Sequence, residues 1–98
     1  MEKPFFVEIL ETSDPELLEH MNSVWEFTGK EGALPAKIKT LMSMLGDAIL
    51  GHAAGVQAIA KRARAQGATE QEIAETVRMA FFCAGMPGLV TGTYAFRK

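Results

Sequence analysis

The chain has 98 residues, of which 48% are hydrophobic and 22% are charged, and its formal net charge is −2. This length is typical of one domain, so we predict a single domain over residues 1–98. The charge lacks the strongly basic balance of nucleic-acid-binding proteins. The apolar fraction is high for so small a globule, which predicts that some apolar side chains lie in contacts between the subunits of a homo-oligomer.

No targeting or membrane segment is predicted. The start, Met1-Glu2-Lys3-Pro4, lacks the basic residues and the apolar run of a signal peptide. The most apolar stretch, residues 79–90, is interrupted by Gly85 and Pro87, so we do not expect it to span a membrane. The one cysteine, Cys83, cannot form an intrachain disulfide. Both observations favour a cytoplasmic protein.

The first third of the chain predicts an arm and a helix. Residues 1–12 form an apolar N-terminal arm, which is expected to be extended and to pack on another element or subunit. The first helix follows. Asp14 is its expected cap, Pro15 occupies the first helical position, and the helix ends near Gly29.

Two further helices are predicted in the middle of the chain. The second helix begins at Pro35 and ends near Leu50, and the third runs from about His52 to Gln66, with Gly67 as a left-handed stop. The apolar spacing predicts that the second helix buries one stripe of side chains. That stripe consists of Ile38, Leu41, Met42, Leu45 and Ile49.

The last third begins with a capping box. Thr69 and Glu72 have the spacing at which each side chain can bond the other residue's backbone N–H, which marks the start of a fourth helix. Residues 85–88, Gly-Met-Pro-Gly, are expected to break it, and Leu89 to Phe96 are predicted to form a short final helix. No segment has the alternation of a strand. The predicted fold is therefore all-α with about five helices.

Three segments carry a resemblance to a known family. They are Gly32 to Lys39 (GALPAKIK), Gly67 to Ile73 (GATEQEI) and Ala84 to Val90 (AGMPGLV). In this order and spacing they resemble the carboxymuconolactone decarboxylase and alkyl hydroperoxidase D-like family. The resemblance covers roughly residues 14 to 95. It implies an alkyl hydroperoxidase D-like helical bundle that assembles as a trimer or hexamer.

The family's redox members carry a motif of the form E-x11-C-x2-C-x3-H. Aligned through Gly67, its four positions fall on Thr40, His52, Gly55 and Ile59, so none of the four family residues is present. In those relatives one thiolate attacks, the second thiol resolves the oxidised form, and the glutamate and histidine relay the proton. This chain has a single cysteine outside the motif, so intramolecular dithiol chemistry is excluded.

His52 is the main candidate for a functional side chain, because it stands where the family's first cysteine would be. It could act as a general acid or base, with Asp47 orienting it if the turn folds back. The alternative is a polar residue that a helix start tolerates.

Cys83 is a weaker candidate. It stands among apolar neighbours, which favours inert packing in the core; the alternative is a lone peroxidatic or regulatory thiol. His20 has no partner at ligand spacing, so no metal site is predicted. No cofactor is expected either.

Three functions follow from these residues. The first is a non-enzymatic small-molecule-binding or scaffold protein without thiol chemistry. The second is a decarboxylase or lyase of a small carboxylate, in which His52 is the acid/base and Arg62 or Arg64 holds the carboxylate. The third, peroxidase-type activity, is implied by the resemblance but disfavoured by the missing thiol pair.

Overall fold

The computed structural model describes residues 3–98, so Met1 and Glu2 of the predicted arm lie outside the described residues. No strand occurs in this range, which confirms the all-α fold of five helices. The chain divides into two compact units, Met1–Lys30 and Glu31–Lys98. The helices are α1 (Phe5–Ser13), α2 (Pro15–Gly29), α3 (Ala36–Ile49), α4 (Ala53–Ala65) and α5 (Glu70–Gly92), followed by a 3₁₀ helix, Thr93–Phe96.

The first unit is a hairpin of α1 and α2. The prediction of an extended arm is wrong, since Phe5–Ser13 is helical. The ring of Phe6 packs edge-on against Trp25 of α2, with the ring centroids 5.9 Å apart. An amphipathic segment of nine residues is marginal as a helix in isolation and gains its stability from such a contact with a second helix.

Asp14 separates the two helices of this hairpin. Its backbone N–H donates to the carbonyl of Leu10 at 2.9 Å and so ends α1. Its carboxylate accepts from the backbone N–H of Leu17 at 3.0 Å, and Pro15 is the first residue of α2. The predicted cap is therefore confirmed.

The second unit has a core built from α3, α4, α5 and the 3₁₀ helix. Its largest fully buried side chains are Met44, Val56 and Ile73, one from each long helix. Most other core positions are alanines, whose small side chains let the helix axes approach closely. These alanines are Ala48, Ala60, Ala63, Ala68, Ala80 and Ala95.

The buried face of α3 differs from the predicted stripe. Leu41 is buried as expected, but Thr40, Met44 and Ala48 are buried with it. Met42 and Ile49 are instead 52% and 43% exposed. Because α3 packs on both α4 and α5, small and polar residues enter the core on a side that apolar spacing does not reveal.

The predicted ends of α3 and α4 and the predicted start of α5 are confirmed. Gly51 and Gly67 have φ values of +78° and +95°, the left-handed conformation that ends α3 and α4. Thr69 and Glu72 form the capping box: the Thr69 hydroxyl accepts from the backbone N–H of Glu72 at 3.0 Å, and the Glu72 carboxylate accepts from the backbone N–H of Thr69 at 2.8 Å.

Helix α5 reverses direction at Gly85, whose φ is +68° and whose ψ is −154°. A β-carbon placed on Gly88 would lie 2.5 Å from the carbonyl oxygen of Ala80, and one on Gly92 would lie 3.1 Å from Cγ1 of Val77. In a straight helix, Val77 and Gly92, which are fifteen residues apart, would be separated by about 22 Å. The two segments of α5 therefore fold back on each other, and glycine lets them touch.

The predicted break at residues 85–88 is thus a sharp turn at Gly85, after which helix resumes at once. Helical structure continues to Gly92 and ends in the 3₁₀ helix rather than forming a separate helix from Leu89.

Residues 70–96 are long and apolar enough to cross a membrane by length and composition, with a mean hydropathy of 1.3 in their most apolar window. The turn at Gly85 interrupts them. The longer part, residues 70–84, would extend about 22 Å as a helix, short of the roughly 30 Å of a hydrocarbon core.

Candidate functional site

The four motif positions lie on the α3–α4 pair. Thr40 is buried in α3, and His52 is the residue that precedes α4. Gly55 lies in the first turn of α4, and Ile59 is a partly buried residue packed against the core. An apolar contact thus occupies the position at which the redox relatives carry the histidine of the proton relay.

A tight turn places His52 beside the end of α3. The backbone N–H of His52 donates to the carbonyl of Asp47 at 2.9 Å, and the N–H of Gly51 donates to the carbonyl of Ala48 at 3.3 Å. This pair of bonds, with a left-handed glycine between the helices, is a Schellman motif. The backbone alone therefore fixes the spacing between Asp47 and His52.

The side chains of the same two residues also meet. Nδ1 of His52 lies 3.2 Å from Oδ2 of Asp47, and the side chains are 63% and 24% exposed respectively. The orienting contact expected from the sequence is therefore present. When the shared proton resides on Nδ1, the ring's Nε2 has a free lone pair and can accept a proton.

Gly55 leaves room for the Asp47 and His52 side chains because it has no side chain of its own. A β-carbon there would collide with Oδ2 of Asp47 and would lie 2.5 Å from Nδ1 of His52. The second cysteine position of the family motif is thus closed to any side chain while the Asp47–His52 pair is in place. Spacing in the sequence does not reveal this exclusion, because it depends on the turn between α3 and α4.

Cys83 lies elsewhere, on α5, and the prediction that it packs in the core is wrong. The thiol-bearing residue is exposed. Its neighbour Phe82 is 82% exposed, which is unusual for so large an apolar side chain. The apolar composition of this stretch therefore marks a surface rather than a core.

The two arginines considered for carboxylate binding differ in their surroundings. Arg64 makes a bidentate contact with Glu70, at 2.7 and 3.0 Å, and its guanidinium also donates to the carbonyl of Ala95 at 2.8 Å. The hydrogen bond from Arg64 lowers the pKa of Glu70 to about 2. Arg64 thus fastens the 3₁₀ helix to α4 and α5, whereas Arg62 is exposed.

His20 is exposed on α2. Over residues 3–98, no three side chains of the types histidine, cysteine, aspartate and glutamate come together as ligands for a metal ion.

A groove of about 290 Å³ runs between α3 and α5. Its floor is apolar, and Glu72, Glu75 and Thr76 provide its polar groups. Nζ of Lys37 lies 3.0 Å from Oε2 of Glu72. The hydrogen bond from the backbone N–H of Thr69 lowers the pKa of Glu72, and the hydrogen bond from Lys37 lowers it further. The apolar lining residues are Ile38, Leu41, Met42, Leu45 and Met79.

The groove locates two methionines whose position cannot be predicted from the sequence alone. Met42 and Met79 line it from opposite helices, whereas Met44 is buried in the core. A flexible thioether adapts to ligands of different shape. The periodicity of each helix separately gives no sign of the groove, because it forms only where the two faces meet.

Comparison with known proteins agrees with this architecture. The sequence profile of the carboxymuconolactone decarboxylase family matches residues 15–97. The fold is similar to a crystal structure of the apo form of a carboxymuconolactone decarboxylase family protein from Legionella pneumophila, with a TM-score of 0.86 and 25% sequence identity. That likeness covers 93% of this chain and 81% of the other. No protein of curated function has significant sequence similarity to the chain. The chain belongs to the carboxymuconolactone decarboxylase family.

Proposed function

We propose that this protein is a family member that works without thiol chemistry, as a small-molecule-binding or scaffold protein. The observation that carries the proposal is the closed position at Gly55, where a β-carbon would collide with the Asp47–His52 pair. The chain therefore differs from a redox member by more than the loss of two sulfurs. An acid–imidazole pair fills the space that the second cysteine of the motif would need.

The groove between α3 and α5 is the proposed ligand site. Its volume of about 290 Å³ lies near the lower end of the range for small-molecule sites, about 300–1,000 Å³. An apolar lining with a few polar groups at one side suits a small apolar molecule that bears one hydrogen-bond donor. A side-chain oxygen of Glu75 or Thr76 could accept that hydrogen bond.

The absence of thiol chemistry is tested by peroxide consumption in the presence of a dithiol reductant. We expect peroxide to be consumed no faster with the protein present than with the reductant alone. Cys83→Ser should give the same rate. Turnover that depends on Cys83 would overturn the proposal and favour the peroxidase-type alternative.

Ligand binding is tested with a neutral apolar fluorophore, N-phenyl-1-naphthylamine. Met79→Glu places a charge in the groove and should abolish the gain in fluorescence. Met86→Glu is the matched control, since it changes an exposed methionine of α5 outside the groove lining. Equal binding by the two variants would show that the groove is not the binding site.

The proposal includes a homo-oligomer, a trimer or hexamer as the resemblance implies, and residence in the cytoplasm. The exposed aromatic side chains support the assembly, because monomeric proteins rarely expose large apolar patches. Light scattering coupled to size-exclusion chromatography measures the subunit number.

A second candidate function rests on the hydrogen bond between His52 and Asp47. It is a decarboxylase or lyase acting on a small carboxylate, with Nε2 of His52 as the group that accepts or delivers the proton. Arg62 remains available to hold the carboxylate, whereas Arg64 already binds Glu70. Turnover of a cyclic carboxylate that His52→Ala removes and Cys83→Ser preserves would favour this function over the scaffold.

A further inference from the structure

Helix α2 carries an apolar surface that its own hairpin leaves uncovered. Leu17, Val24 and Phe27 are 51%, 58% and 79% exposed. They stand at positions i, i+7 and i+10, so they line one side of the helix, which we call the outer stripe. Apolar residues at this spacing are typical of a helix that packs against another helix.

The hairpin buries too little to be stable by itself. No residue of α1 or α2 is buried, and short helices without tertiary packing are marginal in water. Phe5 and Ile9 of α1 are also 73% and 54% exposed. The outer stripe therefore needs a covering surface.

The formal charges of the two units indicate which surface covers the outer stripe. Residues 3–30 contain six acidic and two basic side chains, a formal charge of −4, whereas residues 31–98 contain five acidic and eight basic side chains, a formal charge of +3. Two hairpins would repel each other, but a hairpin and the α3–α5 unit attract.

The α3–α5 unit offers an apolar surface with a basic residue beside it. Phe81 and Phe82 of α5 are 48% and 82% exposed, and Arg78, three and four residues before them, is also exposed. These three residues, which we call the α5 face, lie within one turn and share a side of the helix. Aromatic residues and arginine are among the types enriched in protein interfaces.

We infer that the hairpin of one copy docks its outer stripe on the α5 face of a second copy. Glu16, the acidic residue beside the outer stripe, then lies near Arg78 of the copy that receives the hairpin, and Phe27 and Phe82 leave water. This inference rests on the proposed homo-oligomer and specifies the surfaces that form it.

A tryptophan moved into the outer stripe provides a direct readout, because Trp25, the one tryptophan of the chain, packs against Phe6 inside the hairpin. In a Trp25→Phe background, Phe27→Trp places the fluorophore in the stripe, and its emission should shift to the red on dilution as light scattering reports smaller species. An assembly in which the emission of the introduced tryptophan is the same before and after dissociation would overturn the inference and leave the homo-oligomer standing. A monomer at every concentration would overturn both.

Point variants locate the two surfaces. Phe27→Ser and Phe82→Ser should each raise the dissociation constant by about tenfold or more, as expected for central aromatic residues of an interface. Leu50→Ser is the matched control, because Leu50 is 81% exposed but lies in the turn between α3 and α4. If either aromatic variant assembles as well as Leu50→Ser, the inference is wrong.

Charge reversal tests the docking in trans, with circular dichroism confirming that each variant is helical. Glu16→Lys, which reverses the acidic residue beside the outer stripe of the hairpin, and Arg78→Glu on the α5 face should each weaken self-assembly. A mixture of the two variants should form mixed assemblies by native mass spectrometry, because a basic residue on the hairpin then meets an acidic residue on the α5 face. Mixed assemblies no more abundant than those with the unchanged protein would overturn the inference.

Discussion

His52 and Asp47 are joined twice, by a 2.9 Å bond between backbone N–H and carbonyl and by a 3.2 Å contact between Nδ1 and Oδ2. The first bond belongs to the turn between α3 and α4, so it holds the second in register. A pair built this way keeps its geometry even though His52 is largely exposed.

The first prediction concerns Gly55. Gly55→Ala should gain less stability than Gly46→Ala, because its β-carbon collides with the Asp47–His52 pair. Gly46, inside α3, has no atom within 4 Å of an added β-carbon. Gly46→Ala should therefore stabilise the protein by about 0.5–1 kcal/mol, the usual helix-interior difference between the two residues. Urea unfolding of both variants measures the difference, and equal gains would contradict the described position of the Asp47 and His52 side chains.

The second prediction concerns the tautomer of His52. Asp47→Asn should lower the share of the ring that carries its proton on Nδ1, because the carboxylate that accepts this proton is lost. Nitrogen-15 chemical shifts of the imidazole measure that share. His20 is the internal control and should keep its signals, since the chain has two histidines and His20 lies on α2. Unchanged His52 signals would mean that the contact does not form in solution.

The sequence predicts the start of α2, the ends of α3 and α4 and the start of α5 well, because the chain marks these boundaries locally. Asp14, Gly51, Gly67 and the capping box of Thr69 each act within a few residues, so their spacing is visible without knowledge of the fold.

The sequence predicts less well which surfaces are covered. Met42 and Cys83 lie in apolar stretches, yet both are exposed, because burial depends on where neighbouring helices lie. The helix of the N-terminal arm is missed for the same reason, since the contact of Phe6 with Trp25 joins separate elements.

The candidate site also has one feature that the sequence reveals and one that it does not. The replacement of the motif by Thr40, His52, Gly55 and Ile59 is visible in the sequence. The closure of position 55 is not, because it requires the side chain of Asp47 to return across the turn.

The third prediction concerns the turn that brings Asp47 and His52 together. Gly51→Ala should destabilise the protein by about 1–2 kcal/mol, since an L-residue is strained at the φ of +78° that Gly51 adopts. No atom lies within 4 Å of the added β-carbon, so the cost is conformational rather than steric. Gly46→Ala again serves as the control, and chemical unfolding that shows equal stabilities would refute the left-handed turn.

The last prediction concerns acid stability. The hydrogen bond from Arg64 lowers the pKa of Glu70 to about 2 in the folded protein, from 4.5 for the free group. A carboxylate with a lowered folded pKa contributes stability above its unfolded pKa and loses it as the pH falls towards the folded value. The melting temperature of Glu70→Gln should therefore lie below that of the unchanged protein at pH 6, and the difference should close between pH 4.5 and about 2. Glu75→Gln is the control, because it removes a carboxylate from the same helix without touching Arg64. A Glu70→Gln deficit as large at pH 2 as at pH 6 would show that Glu70 stabilises the fold by something other than its charged contact with Arg64.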